Sequence, residues 1–322
     1  MKKKLRIVFL GTPDFAVASL EALLKNAYNI VAVITATDKK AGRGRKIHYS
    51  DVKNFAIDNN LKLLQPNNLK DKDFLKQLSL LNANLQVVVA FRMLPEVVWQ
   101  MPEFGTINLH GSILPQYRGA APINHAIING EKETGVTTFF LNKTIDTGKI
   151  IMSEKTKIEK NDNFESLHDK LKIIGSRLIV KTVKLIEDGK VNVTEQSKLL
   201  SDSNELKSAS KIDKEFCRIK WNNTSERNYN FIRGLSPYPA AFSFLSLPDN
   251  KKIQIKIFAA KEEKSNIKLI PGIIYTDNNN YLKISCTNGY LNILELQLAG
   301  KKRMDIVSFL RGFQIPENCK IL

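Results

Sequence analysis

The first half of the chain alternates short apolar runs with segments of helical periodicity. The apolar runs predict buried strands over residues 5–10, 30–35, 86–90 and 105–109. The periodic segments predict helices over residues 15–24, 52–58, 71–80 and 122–128. This alternation is typical of an α/β fold, so we expect a Rossmann-like, mostly parallel sheet with helices on both faces.

Two further strand-like segments, 134–141 and 149–156, precede a stretch of helical periodicity over 163–188. Gly189 follows that stretch directly and is a plausible helix stop, because glycine takes the left-handed cap conformation without strain. The pattern therefore predicts a first domain over residues 1–189.

The second half reads as a small all-β domain. A polar stretch with few large apolar residues predicts a linker over 190–208. Beyond it we expect helices over 225–233 and 304–311, and strands over 242–245, 253–259, 281–286 and 290–298. Asn288-Gly289 is a strong hairpin signal between the last two strands. We predict an antiparallel, OB-like β-barrel over 209–322, with Trp221 and Tyr238 in its core.

Hydropathy and cysteine usage narrow the class of protein. No apolar run approaches the ~20 residues that a membrane helix needs, and the basic start leads into an apolar segment too short for a signal peptide. We therefore expect a cytoplasmic protein with no membrane association. Cys217, Cys286 and Cys319 are far apart and show neither a disulfide framework nor metal-ligand spacing, so no metal is expected.

The chain is strongly basic, with a formal net charge of +17. Such a charge favours a polyanionic partner, nucleic acid above all, although richness in Lys, Asn and Ile from an AT-biased genome would also raise it. Clustering is the better evidence. The first cluster lies on a glycine-containing loop and comprises Lys39, Lys40, Arg43, Arg45 and Lys46.

A second basic cluster follows the predicted linker, and on a helix several of its members would share one face. It comprises Lys207, Lys211, Lys214, Arg218 and Lys220. Arg233 and the run Lys301-Lys302-Arg303 would extend this surface. Phosphate contacts from such residues supply affinity and position rather than sequence reading. The alternative for the first cluster is an ordinary solvated loop.

An amide, an imidazole and a carboxylate come within one stretch of the chain. Asn108 and His110 end a predicted strand, where residues two apart point to the same face. Asp146 lies in a later Asp-Thr-Gly turn, where it could instead bond its own backbone. Together these three groups could polarise a carbonyl and move a proton. We expect structural roles for His125 and His168.

The turn after the first strand reads Gly11-Thr12-Pro13 and lacks the later glycines of a dinucleotide fingerprint. Those glycines let the backbone approach a pyrophosphate. Nicotinamide binding is therefore not expected, even in a Rossmann-like sheet.

Several motifs in the same order resemble the folate-dependent formyltransferases, and within them the branch that acts on methionyl-tRNA. They are Asn108-x-His110, Ser112-x-Leu114-Pro115, Asp146-x-Gly148, residues 9–15 and 41–46, Trp221, and Ser236-Pro237-Tyr238-Pro239. The resemblance runs essentially from end to end. It implies the catalytic set Asn108, His110 and Asp146, with the Asp146 loop bringing its carboxylate to the histidine.

The resemblance also implies the ligands. 10-Formyltetrahydrofolate would be the co-substrate, without a metal, in a pocket built from Ala90, Phe91, Arg92, Met93, Leu94, Ser112, Ile113, Leu114 and Pro115. Initiator methionyl-tRNA would be the partner of a monomer, with Arg43 leading into its acceptor end. Many relatives have Tyr-Gly where this chain has Phe91-Arg92, so the role of the Arg92 side chain stays open. Relatives also often have Asp where this chain has Lys220, so the resemblance assigns no role to Lys220.

Two other functions remain open at this point. One is a formyltransferase with a small acceptor, either glycinamide ribonucleotide or a nucleotide-linked amino sugar, which would have less use for the basic loop and the second domain. The other is a tRNA-binding module that has lost catalysis, against which the intact set of Asn108, His110 and Asp146 argues.

Overall fold

The structure, a computed structural model, describes residues 4–41, 46–200 and 205–322. These residues form two compact units. The first unit contains the chain up to Pro122, together with Glu133–Lys157 and His168–Ser208. The second contains Ile123–Lys132, Ile158–Leu167 and Ala209–Leu322. The predicted domain boundaries at 189 and 209 stay predictions.

The helices and strands follow one another in an α/β pattern as far as residue 187. In chain order they are β1 (Ile7–Gly11), α1 (Asp14–Lys25), β2 (Ile30–Ile34), β3 (Lys39–Ala41), β4 (Lys46–His48), α2 (Asp51–Asp58), β5 (Leu63–Leu64), α3 (Lys72–Leu80), β6 (Leu85–Val89), α4 (Glu96–Trp99), β7 (Thr106–His110), β8 (Arg118–Gly119), α5 (Pro122–Ile128), β9 (Glu133–Phe140), β10 (Ile150–Lys157) and α6 (Phe164–Glu187). The predicted helices and buried strands of this half are confirmed.

The remaining elements are mostly strands. They are a 3₁₀ turn at Gln196–Leu199, then β11 (Ser208–Ala209), α7 (Ser225–Leu235), β12 (Ala241–Ser246), β13 (Lys252–Lys264), β14 (Ile274–Thr276), β15 (Leu282–Ser285), β16 (Gly289–Leu298), β17 (Arg303–Asp305), α8 (Ile306–Gly312) and β18 (Lys320–Ile321).

The main sheet of the first unit has the order β10-β9-β7-β6-β1-β2-β5 in the described residues. Five neighbouring strands of this sheet run parallel, namely β7, β6, β1, β2 and β5. Strands β9 and β10 are antiparallel to their neighbours. The chain moves outward in opposite directions from β1 and β6, so the strand order reverses between them. Ligands of such sheets bind at the carboxyl ends of strands beside this reversal.

Both faces of this sheet are covered. Val8 and Leu10 pack in one apolar cluster with Phe74 and Leu78 of α3. Phe9 points to the opposite face and is also fully buried. Helices on both faces explain why the central strands read as continuous apolar runs rather than as alternating ones, and the predicted Rossmann-like class is confirmed.

The second unit is built around a nearly closed antiparallel barrel with the order β14-β15-β16-β13-β12-β18, and β17 pairs with β16. The predicted hairpin between β15 and β16 is confirmed, with the Cys286 N–H donating to the Gly289 carbonyl at 2.8 Å. A side chain at Gly289 would meet the Glu263 carbonyl at 2.3 Å, so this turn requires glycine. Burial raises the pKa of the Cys286 thiol to about 11.

Two details of the barrel prediction need correction. The last helix begins at Ile306 rather than Met304, because Asp305 caps it by accepting from the Ser308 N–H at 2.9 Å. Trp221 is buried in the barrel core as predicted, but Tyr238 is 77% exposed. Tyr238 lies between two prolines in the turn that joins α7 to β12, so it belongs to neither element and does not reach the core.

Across the part of the chain that the structure describes, no helix has both the length and the apolar character that a membrane span requires.

Candidate active site

Asn108 and His110 project from the carboxyl end of β7. Leu109, which points to the other face, lies against Gly175 of α6, where an added Cβ would approach it to 2.7 Å. The alternation of a strand therefore directs Asn108 and His110 together away from α6. Within the described residues, the Asn108 side chain has no hydrogen-bond partner and is partly exposed. Its amide is available to a bound group.

The imidazole of His110 lies between two oxygen acceptors. Its Nε2 is 2.8 Å from the Tyr117 carbonyl oxygen, and its Nδ1 is 3.8 Å from Oδ2 of Asp146. Because a carbonyl oxygen can only accept, Nε2 carries a proton. Nδ1 then faces a carboxylate, and the doubly protonated ring can direct a proton toward each neighbour. The side chain of His110 is 6% exposed, so few other groups compete for these positions.

Asp146 reaches the histidine from a tight loop between β9 and β10. Its backbone is in the left-handed region with φ of 53°. Oδ2 accepts from the Gly119 N–H at 2.9 Å, so the carboxylate bonds across to the segment after β7 rather than within its own turn. The alternative of a self-bonded turn aspartate is therefore wrong.

The loop can take this path only with glycine at position 148. An added Cβ on Gly148 would come within 1.7 Å of the Phe140 carbonyl oxygen. On the other side of the turn, Asn142 Oδ1 accepts from the Thr144 N–H at 3.1 Å and from the Thr147 hydroxyl at 3.0 Å. Close packing and local hydrogen bonds thus fix the loop that carries Asp146.

Sequence reasoning assigns no role to two further residues of this site, Gln196 and Arg118. Gln196 is 3% exposed, although it comes from the stretch predicted as a linker. Its Nε2 donates to the carbonyls of Asp146 and Gly148 at 2.9 and 2.8 Å, and its Oε1 accepts from Arg118 Nε and Nη2 at 3.0 and 2.6 Å. Burial lowers the pKa of Arg118 and Asp146 opposes that change. A glutamine in a polar stretch carries no sequence signal of such a role.

The first predicted folate segment lies at the carboxyl end of β6, beside the reversal of strand order. It comprises Ala90, Phe91, Arg92, Met93 and Leu94. Leu94 is buried, whereas Met93 is 71% exposed. The guanidinium of Arg92 donates to the carbonyls of Pro66 and Asn67, which ties this segment to the chain after β5. The position at the strand ends suits a ligand pocket.

The second predicted folate segment, Ser112, Ile113, Leu114 and Pro115, forms the turn after β7. Ser112 is fully buried and its hydroxyl donates to the Gln116 carbonyl at 2.6 Å. Leu114 is also buried and packs against Phe139, Pro115 is buried, and Ile113 is half-buried. The side chains of Ser112 and Leu114 therefore build the turn, which leaves its backbone and Ile113 as the groups that can meet a ligand.

The structure describes only part of the first basic cluster. Lys39 and Lys40 lie on β3 and Lys46 lies on β4, and the two strands pair antiparallel. Arg43 and Arg45 lie outside the described residues.

The second basic cluster is exposed at Lys207, Lys211, Lys214, Arg218 and Lys220. Residues 211–220 are irregular, with one turn at 214–217, rather than the helix considered from sequence. Arg233 is not a surface residue, because it is buried and its Nη1 donates to the Asp162 carbonyl at 2.6 Å. That burial lowers its pKa. Arg303 pairs with Glu295 through two contacts of 2.6 and 2.5 Å. Of the proposed extension, Lys301 and Lys302 are exposed, and neither has an ion pair among the residues that the structure describes.

His125 and His168 have local partners. His125 is buried, with Nε2 3.0 Å from the Ser210 carbonyl oxygen. His168 lies 3.5 Å from Asp14 and 3.3 Å from Asp169. Lys172 Nζ contacts the same two carboxylates at 2.9 and 2.8 Å, so a cation already occupies this cluster. These contacts agree with structural roles for His125 and His168, which stay predictions.

Comparison with known proteins covers both units. A family model described as "Formyl transferase" matches residues 5–183, and one described as "Formyl transferase, C-terminal domain" matches residues 211–314. The methionyl-tRNA formyltransferase of Bacteroides fragilis is 52% identical over 320 residues, which is 99% of this chain and 98% of that protein. The Flavobacterium johnsoniae protein of the same name is 52% identical over 324 residues, 99% of both chains.

Solved structures with the same fold include two formyltransferases. The sugar 3N-formyltransferase WlaRD, crystallised with dTDP and 5-N-formyl-THF, has a TM-score of 0.62 at 24% identity. The match covers 93% of this chain and all of WlaRD. The N-formyltransferase from Helicobacter canadensis, in complex with folinic acid and dTDP-3-aminofucose, has a TM-score of 0.61 at 22% identity with the same coverage. At these identities the likeness concerns the fold.

Proposed function

The chain belongs to the formyl transferase family, and we propose that it transfers a formyl group from 10-formyltetrahydrofolate to the α-amine of methionyl-tRNA, giving N-formylmethionyl-tRNA for translation initiation. The observation that carries this proposal is the end of β7, where a buried imidazole shares one face with an amide that has no hydrogen-bond partner among the described residues. A carboxylate approaches the imidazole from a fixed loop. The chain is 52% identical to named methionyl-tRNA formyltransferases over 99% of its length, and this similarity supports methionyl-tRNA as the acceptor.

The chemistry begins with the amine. A free α-amino group titrates near ~7.7–8.0, so a useful fraction is neutral and nucleophilic near neutral pH. Its attack on the formyl carbon forms a C–N bond and places negative charge on the formyl oxygen. The Asn108 amide can donate to that oxyanion, and we propose that the protonated His110 ring does so once its Nε2–H exchanges the Tyr117 carbonyl for the oxyanion. One such donor typically contributes roughly 3–4 kcal/mol to transition-state stabilisation.

Collapse of the tetrahedral intermediate breaks the bond between the formyl carbon and the folate nitrogen. The amine must lose a proton and the departing nitrogen must gain one. Asp146, whose Oδ2 lies 3.8 Å from Nδ1 of His110, orients the ring. We propose that these two side chains carry the proton between the nitrogens through water. The chemistry requires neither a covalent enzyme intermediate nor a metal.

The two substrates would meet different parts of the chain. For the folate we propose residues Ala90–Leu94 and the turn 112–115, whose backbone groups can bond a flat heterocycle while apolar side chains cover its faces. For the tRNA we propose phosphate contacts from Lys39, Lys40, Arg43, Arg45, Lys46, Lys207, Lys211 and Lys214. The N-terminal domain would be catalytic and the C-terminal barrel would bind tRNA. We further propose a cytoplasmic monomer.

The direct test compares acceptors. Purified protein and 10-formyltetrahydrofolate are incubated with initiator methionyl-tRNA, with glycinamide ribonucleotide or with a dTDP-linked amino sugar, and formylated product is measured. We expect product with methionyl-tRNA alone. Faster formylation of either small acceptor would assign the chain to another activity of the family, and absence of transfer to all three would support a binding module that has lost catalysis.

A further inference from the structure

Arg118 and Gly119 are joined to the Asp146 loop by two routes. Gly119 donates its N–H to the Asp146 carboxylate, and Arg118 donates to the Gln196 amide, which in turn donates to the Asp146 carbonyl. Together with the backbone that joins Arg118 to Gly119, these hydrogen bonds form a closed circuit. We infer that Gln196 is a positioning residue that holds Asp146 against His110, an inference that rests on the proposed function for its catalytic consequence.

The chemistry of the circuit requires an amide at position 196. Gln196 donates two hydrogen bonds to carbonyl oxygens and accepts two from a guanidinium, so every polar atom of its buried side chain is used. A carboxylate could still pair with Arg118, but it has no N–H for the carbonyls of Asp146 and Gly148. A buried polar group left without its partner costs more than the bond itself contributes.

The Asp146 backbone has particular need of such a partner. Its φ of 53° lies in the left-handed region, which residues other than glycine populate infrequently and only when their surroundings hold them there. The Nε2 of Gln196 binds the carbonyl of Asp146 itself and the carbonyl of Gly148 two residues later. It therefore fixes the orientation of peptide groups on both sides of the turn, and with them the direction of the Asp146 side chain.

Gln196 is in turn held by the main chain. Two residues earlier, Thr194 exchanges backbone hydrogen bonds of 2.9 and 2.8 Å with Ile150 at the start of β10. This pairing sets the register of the segment against the strand that follows the Asp146 loop. The stretch after α6 thus acts as a support for the site.

The first test measures the position of Asp146 without any substrate. Because the Gly119 amide is bonded to the Asp146 carboxylate, its hydrogen exchange reports on that contact. We expect Gln196→Glu and the uncharged Gln196→Met to speed this exchange at least tenfold. The matched control is Glu195→Gln, which alters only an exposed ion pair with Lys149 and should leave the exchange unchanged. Wild-type exchange in both Gln196 variants would overturn the inference.

The second test measures the consequence for turnover. Misplacing a reacting group by about 1 Å can lower a rate roughly 100-fold. We expect Gln196→Glu to lower kcat roughly 10–100-fold while KM for either substrate changes less than twofold. In an Asp146→Asn background the same substitution should change kcat less than twofold, because residues that act through one another are not additive. An equal loss in both backgrounds would show that Gln196 acts elsewhere.

The two tests separate the inference from the function on which it rests. If the wild-type protein formylates none of the acceptors, the proposed function fails, and hydrogen exchange at Gly119 still decides whether Gln196 positions Asp146.

Discussion

At the scale of single residues, the site depends on how the partners of His110 are arranged. One ring nitrogen faces the Tyr117 carbonyl, and the other faces the Asp146 carboxylate at 3.8 Å. The carboxylate is the only one of these partners that carries charge. Its loss should remove the charged acceptor that faces Nδ1, whereas the carbonyl contact of Nε2 should survive.

We therefore expect Asp146→Asn to lower turnover roughly 100-fold or more, since an amide cannot take up the proton that the proposed relay passes on. The loss should appear in kcat, because the carboxylate acts on the reacting groups rather than on substrate binding. Turnover measured at saturating substrates checks this. If the variant turned over at the wild-type rate, the pairing of His110 with Asp146 would not be part of the reaction.

At the scale of elements, the strands and the polar residues at their ends could be predicted from the sequence. The contacts of Gln196 that support the site could not. The apolar run that ends at His110 predicts β7, and the strand period places Asn108 and His110 on one face. Gln196 lies in a stretch with no periodic pattern, because one buried polar side chain satisfied by backbone carbonyls leaves no trace in hydropathy. The predicted start of the last helix at Met304 is wrong for a local reason, because the cap at Asp305 determines where α8 begins.

The loop between β9 and β10 should be intolerant of a side chain at position 148. Gly148→Ala places a methyl group 1.7 Å from the Phe140 carbonyl, so the loop must move. We expect the free energy of unfolding to fall by about 1–3 kcal/mol, the usual cost of overpacking, together with a loss of turnover. Denaturant unfolding and a formylation assay measure the two effects.

Gly312→Ala is the matched control for that change. Gly312 has no atom within 4 Å of its added Cβ, so alanine should be accepted there. Equal stability of Gly148→Ala and the wild-type protein would show that the loop is not fixed by close packing.

At the scale of the whole molecule, the charge of +17 has to be divided between binding and background. Burial removes Arg233 from any nucleic-acid surface, and the Glu295 contact partly neutralises Arg303. Lys211 and Lys214 remain exposed in the second unit. The sequence could identify the basic clusters, but only side-chain burial and ion pairing distinguish surface cations from structural ones.

Salt dependence measures the contribution of Lys211 and Lys214 to tRNA affinity. Each lost phosphate contact should flatten the plot of log affinity against log salt concentration by about one unit of slope. We expect this for Lys211→Gln and Lys214→Gln, and no change for Lys25→Gln, whose ammonium pairs with Glu21 on a helix of the first unit. Wild-type slopes in the two barrel variants would remove these residues from the tRNA surface.

The central claim is that Asn108 and His110, presented by β7, stabilise the oxyanion formed during formyl transfer to methionyl-tRNA. The most direct measurement is the turnover of Asn108→Ala and His110→Ala at saturating 10-formyltetrahydrofolate and methionyl-tRNA, with tRNA affinity measured in parallel. We expect turnover to fall roughly 10²–10³-fold in each variant while tRNA affinity stays nearly unchanged, because both donors act on charge that develops in the transition state. Near-normal turnover in either variant would contradict the account.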